Sequence, residues 1–351
     1  MVPFYELIQV ALNESANGVR TFTQCTLTES DWEQLHNICQ KQSVLGLAFI
    51  AIERLGNEGM KLPLNILYRW LAEAENIKQK NLRVNKRCVE LTQMFAEAEM
   101  QSCILKGQGN ALLYSNPLSR TPGDIDIWIR AERDVICNYV QNKFPGEKAG
   151  KLHIDFPIFK DVPVEVHFMP RFLYTPWHNK ALQTFFAEGA ERQFKHEVSL
   201  DGDNGSVAVP TLEFNIIYQM THMMGHLMGE GIGLRQFIDY YYLLKSYTGD
   251  RDFRHLFNQM GLLKFARGVM WIEKELLGLE ESFFVVEPLE KMGRQIQRIM
   301  EEGGNFGQYS KINTFRRSSL FGRVVGGIRQ SLRNVRFFPS EAIWKIIKKV
   351  Y

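Results

Sequence analysis

The chain has 351 residues, 45% of them apolar and 23% charged, with 27 glycines and 12 prolines. That composition can fill the cores of two or three domains, and it excludes a collagen-like or wholly disordered chain. The net charge is +3, but residues 311–351 hold ten basic residues against one acid, Glu341, which leaves residues 1–310 at −6.

Residues 1–82 read as a helical N-terminal region. The first residues lack a basic segment and carry Glu6 and Glu14 within their apolar stretch, unlike a secretory signal. Thr28 or Ser30 is placed to cap a helix over DWEQLHNICQKQSV, with acids in the turn that follows. From Pro63 to Met100 helix formers dominate without internal Pro or Gly, as one long helix or two. Residues 83–210 then change texture. CILKG is a short apolar run stopped by glycine, NALLYSN a short helix, and Asn116-Pro117 a turn. DIDIWIR alternates strictly and predicts a strand. AERDVICNYVQNKF returns to helical spacing. KLHIDFPIF and VPVEVHF predict two strands joined near Lys160-Asp161. After FMPRFLYTPWHN no pattern stands out until SVAVP, a further strand. Residues 211–351 form a helical C-terminal domain: TLEFNIIYQMTHMMGHLM, LRQFIDYYYLLKSY, DFRHLFNQMGLLKFARGVMWIEKELLG and EPLEKMGRQIQRIMEE all carry helical spacing. The fold class is therefore α+β, a small mixed-sheet module between helical regions.

The basic C-terminal run alternates with Phe315, Phe321, Val324, Val325, Ile328, Leu332, Trp344 and Ile347. A helix pair packed on the body with a solvated cationic face explains it, and so does docking to anionic lipid, nucleic acid or an acidic partner. Gly322, Gly326 and Gly327 weaken a single continuous surface helix. Five cysteines, Cys25, Cys39, Cys88, Cys103 and Cys137, form no CxxC pair, which points to a reducing, cytoplasmic setting rather than disulfides or zinc. No uncharged apolar run approaches the ~20 residues that a bilayer-spanning helix needs.

The segment LKGQGNALLYSNPLSRTPGDIDIWIR, residues 105–130, carries the most chemistry. On a strand, Asp124, Asp126 and Trp128 share one face while Ile125, Ile127 and Ile129 share the other. Two carboxylates on one buried face repel unless a cation sits between them, and magnesium or manganese suits carboxylate and phosphate oxygens. VPVEVHF offers a third acid: Glu165 and His167 share a strand face, so Glu165 can join the aspartates as a second-metal ligand or a base. Upstream, Gly107 and Gly109 allow backbone N–H groups to approach phosphate, with Lys106, Gln108, Arg120 and Gly123 beside them. His222 and His226, at i and i+4, are core or groove histidines more readily than metal ligands, because MMG between them lacks the Glu of a zinc-protease motif. They could line an acceptor cleft with His167, Arg235 and Asp239, although Arg235 and Asp239 could equally form an i, i+4 surface ion pair.

These residues resemble the polymerase-beta-type nucleotidyltransferase superfamily, and within it a bacterial family of uncharacterised nucleotidyltransferases. The pattern is LKG, a helix, R-xx-G-D-I-D and then an E-x-H strand. Here it is Leu105-Lys106-Gly107, Arg120, Gly123-Asp124-Ile125-Asp126 and Glu165-Val166-His167. The later HMMGH and GIGLRQFIDYYYLL segments are similar to that family's helical C-terminal half. The resemblance implies magnesium-dependent transfer of a nucleoside monophosphate from a nucleoside triphosphate, ATP by default, to an acceptor hydroxyl on a small molecule, a protein or an RNA. It makes Asp124 and Asp126 metal ligands, Glu165 the third acid and Gly107 part of the triphosphate turn. Two features depart from the wider superfamily: Gly107-Gln108 replaces Gly-Ser, and the third acid is Glu rather than Asp. A binding protein that keeps this fold without catalysis is the alternative.

Overall fold

Thr28 opens the first well-capped helix. Its Oγ1 accepts the N–H of Asp31, and Asp31 Oδ2 accepts the N–H of Thr28, a reciprocal box that satisfies two otherwise free donors. This computed structural model describes residues 3–13, 22, 27–202, 205–309 and 330–350; Cys25, Glu14 and most of the basic run after residue 310 lie outside them. The N-terminal helices are α1 (Phe4–Leu12), α2 (Glu29–Gln42), α3 (Leu45–Asn57) and α4 (Leu64–Glu97). The stretch from Pro63 is thus one helix of 34 residues. Ile66, Trp70 and Ile77 of α4 enter the main apolar cluster, whereas Val84, Cys88, Leu91 and Phe95 enter a second one beneath the sheet. A single uninterrupted helix therefore ties the two cores together.

After α4 come β1 (Gln101–Ile104), α5 (Gln108–Ala111), β2 (Ile125–Arg130), α6 (Arg133–Lys143), β3 (His153–Asp155) and β4 (Val164–His167). The four strands form one mixed sheet in the order β1-β2-β4-β3, with β2 and β4 parallel and the outer pairs antiparallel. Ile125, Ile127 and Ile129 are all buried in the second cluster with Ile136 and Val140 of α6 and Val164 and Val166 of β4. Each such side chain stabilises the sheet by about 1.5–3 kcal/mol. That burial fixes the register, since a one-residue slip would turn the isoleucines out and the acids in. Asp126 consequently stands beside Glu165, and Trp128 beside His167. The strand begins at Ile125, which leaves Asp124 at its mouth.

The patternless segment after residue 179 continues a 20-residue helix, α7 (Pro176–Lys195), which is followed by a hairpin of β5 (Glu197–Ser199) and β6 (Ser206–Ala208). Pro176 suits the first helical turn, and Phe185, Phe186 and Phe194 pack against Phe214 or Trp128. Tertiary aromatic packing, not local periodicity, settles this helix. The helices that follow are α8 (Leu212–Met228), α9 (Leu234–Ser246), α10 (Phe253–Gln259), α11 (Leu263–Glu275) and α12 (Glu290–Gly303). The stretch from Asp252 divides at Gly261, whose φ of +67° a glycine adopts without strain.

The described part of the basic tail is a helix over 330–337 and α13 (Pro339–Val350). Both pack on the body. Arg333 and Asn334 donate to the last carbonyls of α8, at Leu227 and Met228. Glu341, the tail's lone acid, accepts the N–H groups of Tyr174 and Thr175. Among the described residues no helix is long and apolar enough to cross a membrane. Cys39, Cys88, Cys103 and Cys137 are free, and burial pushes the thiols of Cys39, Cys88 and Cys103 well up, away from nucleophilic use.

Candidate functional site

Strand register brings the acids together. Ligating atoms of Asp124, Asp126 and Glu165 all lie within 4.8 Å of one another, although the residues come from two strands and a strand mouth. Asp126 is 2% exposed and engaged on both oxygens. Lys106 Nζ lies 2.9 Å from Oδ2, and His167 Nε2 lies 2.9 Å from Oδ1. Burial alone would raise the Asp126 carboxyl, but the Lys106 charge and the His167 hydrogen bond outweigh it and hold it well below the ordinary range. Asp124 goes the other way, lifted by burial and by the neighbouring Asp126 charge. One carboxylate is thus firmly ionised and its neighbour is reluctant, as expected when like charges crowd a site without enough positive charge.

The glycine turn is less simple than its sequence suggests. Gly107 precedes α5 with a φ of +67°, a conformation that glycine adopts without strain, while a Cβ there would make only ordinary contact, 3.8 Å, with the Asp124 carbonyl oxygen. Gln108 does not face the cleft. Its buried amide donates to Asn81 and Asn85 of α4, and so anchors the turn to the long helix. Gly109 packs tightly, since a Cβ there would meet Val209 at 3.0 Å and Val209 would have to give by a few tenths of an ångström. Arg120 is also committed elsewhere: its Nε and Nη2 each donate over 2.8 Å to the two oxygens of Asp239, which accepts the Tyr114 hydroxyl as well. This buried fork corrects the expectation of an Arg235–Asp239 pair on a helix surface. Arg235 is buried too, and donates to the carbonyl of Thr121.

A cleft of ≈ 530 Å³ opens between the sheet and α8, lined by Lys106, Gly123 and the three acids on one side and His222, Gly225 and His226 on the other. The small hollow beside it holds Arg235 and Asp239, so His167, His222, His226 and Arg235 all border this region while Arg120 and Asp239 brace it. His222 and His226 share a hydrogen bond of 2.8 Å between their Nε2 atoms. Burial, followed by the Lys106 charge, pushes both well below the ordinary imidazole range, so the pair is neutral.

Sequence patterns did not single out Arg171. It lies in the loop between β4 and α7 and lines the cleft. Among the described residues no acid pairs with it. Burial lowers its guanidinium, and the acids Asp126 and Glu165 pull it partly back. Its seat is Gly225: a Cβ at that position would fall 1.8 Å from Nη2. The glycine inside HMMGH is the only signal the sequence carried for it. His153, on the edge strand, is a second such residue, with Nδ1 3.1 Å from Glu165 Oε2.

The donor set suits a divalent cation. Three carboxylates offer hard oxygens within one ion's reach, and each retains lone pairs beyond those used by Lys106 and the histidines.

The model of the family described as "Uncharacterised nucleotidyltransferase" matches residues 28–278, and the chain belongs to that family. No protein of curated function matches the sequence. A crystal structure of an antigenic nucleotidyltransferase-like protein from Paracoccidioides brasiliensis is similar over 61% of this chain and 97% of that one, at 13% identity and a TM-score of 0.37.

Proposed function

We propose that this member of the uncharacterised nucleotidyltransferases transfers a nucleoside monophosphate from a nucleoside triphosphate, ATP by default, to an acceptor hydroxyl, with pyrophosphate leaving. The observation that carries the reading is the convergence of Asp124, Asp126 and Glu165 within 4.8 Å at a cleft that also holds Lys106 and Arg171. Magnesium or manganese bound by these acids would supply charge neutralisation at the phosphates. The chain's own groups do the rest. Lys106 sets a point charge beside Asp126, and Arg171 presents a planar fork suited to phosphate oxygens. Gly107 and Gly123 leave backbone open to the phosphate chain. Asp126, held strongly acidic, is a poor proton acceptor, whereas Glu165 faces the cleft half-buried and is the carboxylate proposed to take the acceptor's proton. The neutral His222–His226 pair borders the acceptor side. The free cysteines suit a reducing, cytoplasmic setting.

Calorimetry with ATP and magnesium tests the reading. Wild-type protein should bind, and Asp126→Ala should not; a wild type that fails to bind, or a variant that binds equally, counts against the enzyme. Nucleotide binding without pyrophosphate release would instead identify a binding protein, a reading supported by the Gln108 amide being spent on α4. One further observation favours a docking role for the tail: Ile343, Ile346 and Ile347 are 49%, 49% and 38% exposed on one face of α13, beside Lys345 and Lys348. Anionic vesicles should then retain the full chain at low salt and release a form lacking 311–351; equal retention of both removes that role.

A further inference from the structure

The third acid is approached by two imidazoles. In the antiparallel pair β3–β4, His153 stands opposite His167, and their ring centroids are 5.3 Å apart. Glu165 shares a strand face with His167. His153 Nδ1 lies 3.1 Å from Glu165 Oε2 and His167 Nε2 lies 3.4 Å from the same oxygen. One ligating atom from each of the three falls within 4.8 Å of the others. His153 Nδ1 is buried, yet it makes no hydrogen bond despite its nearness to the carboxylate. A pair of donors on one ion with bonds of about 2.0 Å stands about 3.3 Å apart in tetrahedral coordination. The two measured separations bracket that edge.

We propose that His153, Glu165 and His167 form a second metal site that selects a transition metal over magnesium. Two imidazoles and one carboxylate suit zinc, cobalt or manganese, whereas magnesium demands near-octahedral oxygen and keeps its waters. All three residues line the cleft, so a fourth position would face a substrate oxygen rather than the protein interior. Ligation uses the lone pair of His167 Nε2, which gives up its contact with Asp126 Oδ1. That oxygen then becomes available to the neighbouring carboxylate cluster. The site shares Glu165 with the proposed transfer chemistry and touches Asp126 through His167, and it stands whether or not transfer occurs.

The test uses the full chain stripped with chelator and titrated with cobalt(II), whose visible absorption reports its coordination geometry, with the His153 variant identifying the ligand. Wild-type protein should bind cobalt with an absorption band that excess magnesium does not erase. His153→Ala should weaken binding at least tenfold. His153 lies on an edge strand and is one-third exposed at its side chain, so this truncation spares the core; an unchanged circular-dichroism spectrum checks that. Asp124→Asn should keep the cobalt band while losing magnesium-dependent ATP binding. Cobalt binding equal in wild type and His153→Ala overturns the proposal, as does displacement by equimolar magnesium. A wild type that binds cobalt but never ATP refutes the transfer reading alone.

Discussion

Gly225→Ala separates the role of the Arg171 seat from the stability of the fold. Residue 225 lies within α8, where alanine is favoured over glycine by about 0.5–1 kcal/mol. The new Cβ would fall 1.8 Å from Arg171 Nη2, 2.8 Å from Cζ and 3.2 Å from Nε. These atoms are the far end of a long, flexible side chain, so the guanidinium swings away and the helix does not deform. Thermal stability should therefore hold or rise slightly. Phosphate recognition should suffer, because a hydrogen bond from a charged group contributes about 1.5–3 kcal/mol, which corresponds to roughly tenfold to a hundredfold in affinity. Calorimetry with ATP and magnesium, alongside differential scanning fluorimetry, reads both effects at once. Nucleotide affinity within twofold of wild type would refute the phosphate contact. A loss of several kcal/mol in stability would refute the claim that only the far end of Arg171 is disturbed.

Other consequences follow from buried charges. Glu273 of α11 is fully buried with both oxygens unpartnered, and burial raises its carboxyl well above 4.5. The folded state then holds a proton that the unfolded chain releases, so stability should fall as pH rises above 4.5, by up to about 1.4 kcal/mol per pH unit. Glu273→Gln should flatten that slope in melts between pH 5 and 8, and an unchanged slope would place the effect elsewhere. Asp239 carries the opposite sign: burial raises its carboxyl, but the Arg120 charge and its hydrogen bonds outweigh this and hold it below 3.8. Its contribution is present above pH 3.8 and is lost as pH falls through the lower folded value, which Asp239→Asn should reveal as a shallower acid transition. Arg120→Ala leaves the Asp239 carboxylate buried without its partner and should cost about 3–5 kcal/mol in urea unfolding; a cost below 1 kcal/mol would mean that water replaces the guanidinium.

Strand chemistry was legible in the sequence because it is local. Alternation in DIDIWIR and VPVEVHF separates buried isoleucines and valines from acids two residues apart, and pairing β2 with β4 then sets Asp126 beside Glu165. The capping box at Thr28 and the unbroken α4 are local in the same sense. What escaped depends on distant partners. Arg120 and Asp239 are 119 residues apart, and an i, i+4 rule names Arg235 instead, although a buried carboxylate gains more from the two-pronged fork of Arg120. Gln108 sits where a phosphate contact is expected, but the buried amides of Asn81 and Asn85 take its donor hydrogens. Arg171 has no periodic signal whatever, since its position depends on a missing side chain in another helix. Helix α7 was hidden for a similar reason: its aromatic face is explained only by Phe214 and Trp128.

The crowding of acids also dictates how a nucleotide can enter. Lys106, Arg171 and Arg235 face Asp124, Asp126, Glu165 and Glu230 around one cleft and its side hollow, with Arg120 and Asp239 paired to each other, so the walls lean negative before any ligand arrives. A triphosphate brings several negative charges to oxygens already crowded with their own kind. At about 4 Å each like-charged pair costs roughly 4 kcal/mol at an effective dielectric of 20. The raised Asp124 carboxyl reflects the same repulsion, after burial itself. Nucleotide should therefore bind together with its divalent cation and not ahead of it. Titrating ATP into chelator-treated protein should show no binding, and adding magnesium should restore it. Equal affinity with and without the cation would mean that Lys106 and Arg171 alone balance the phosphates, and the three carboxylates would then have no part in holding the donor.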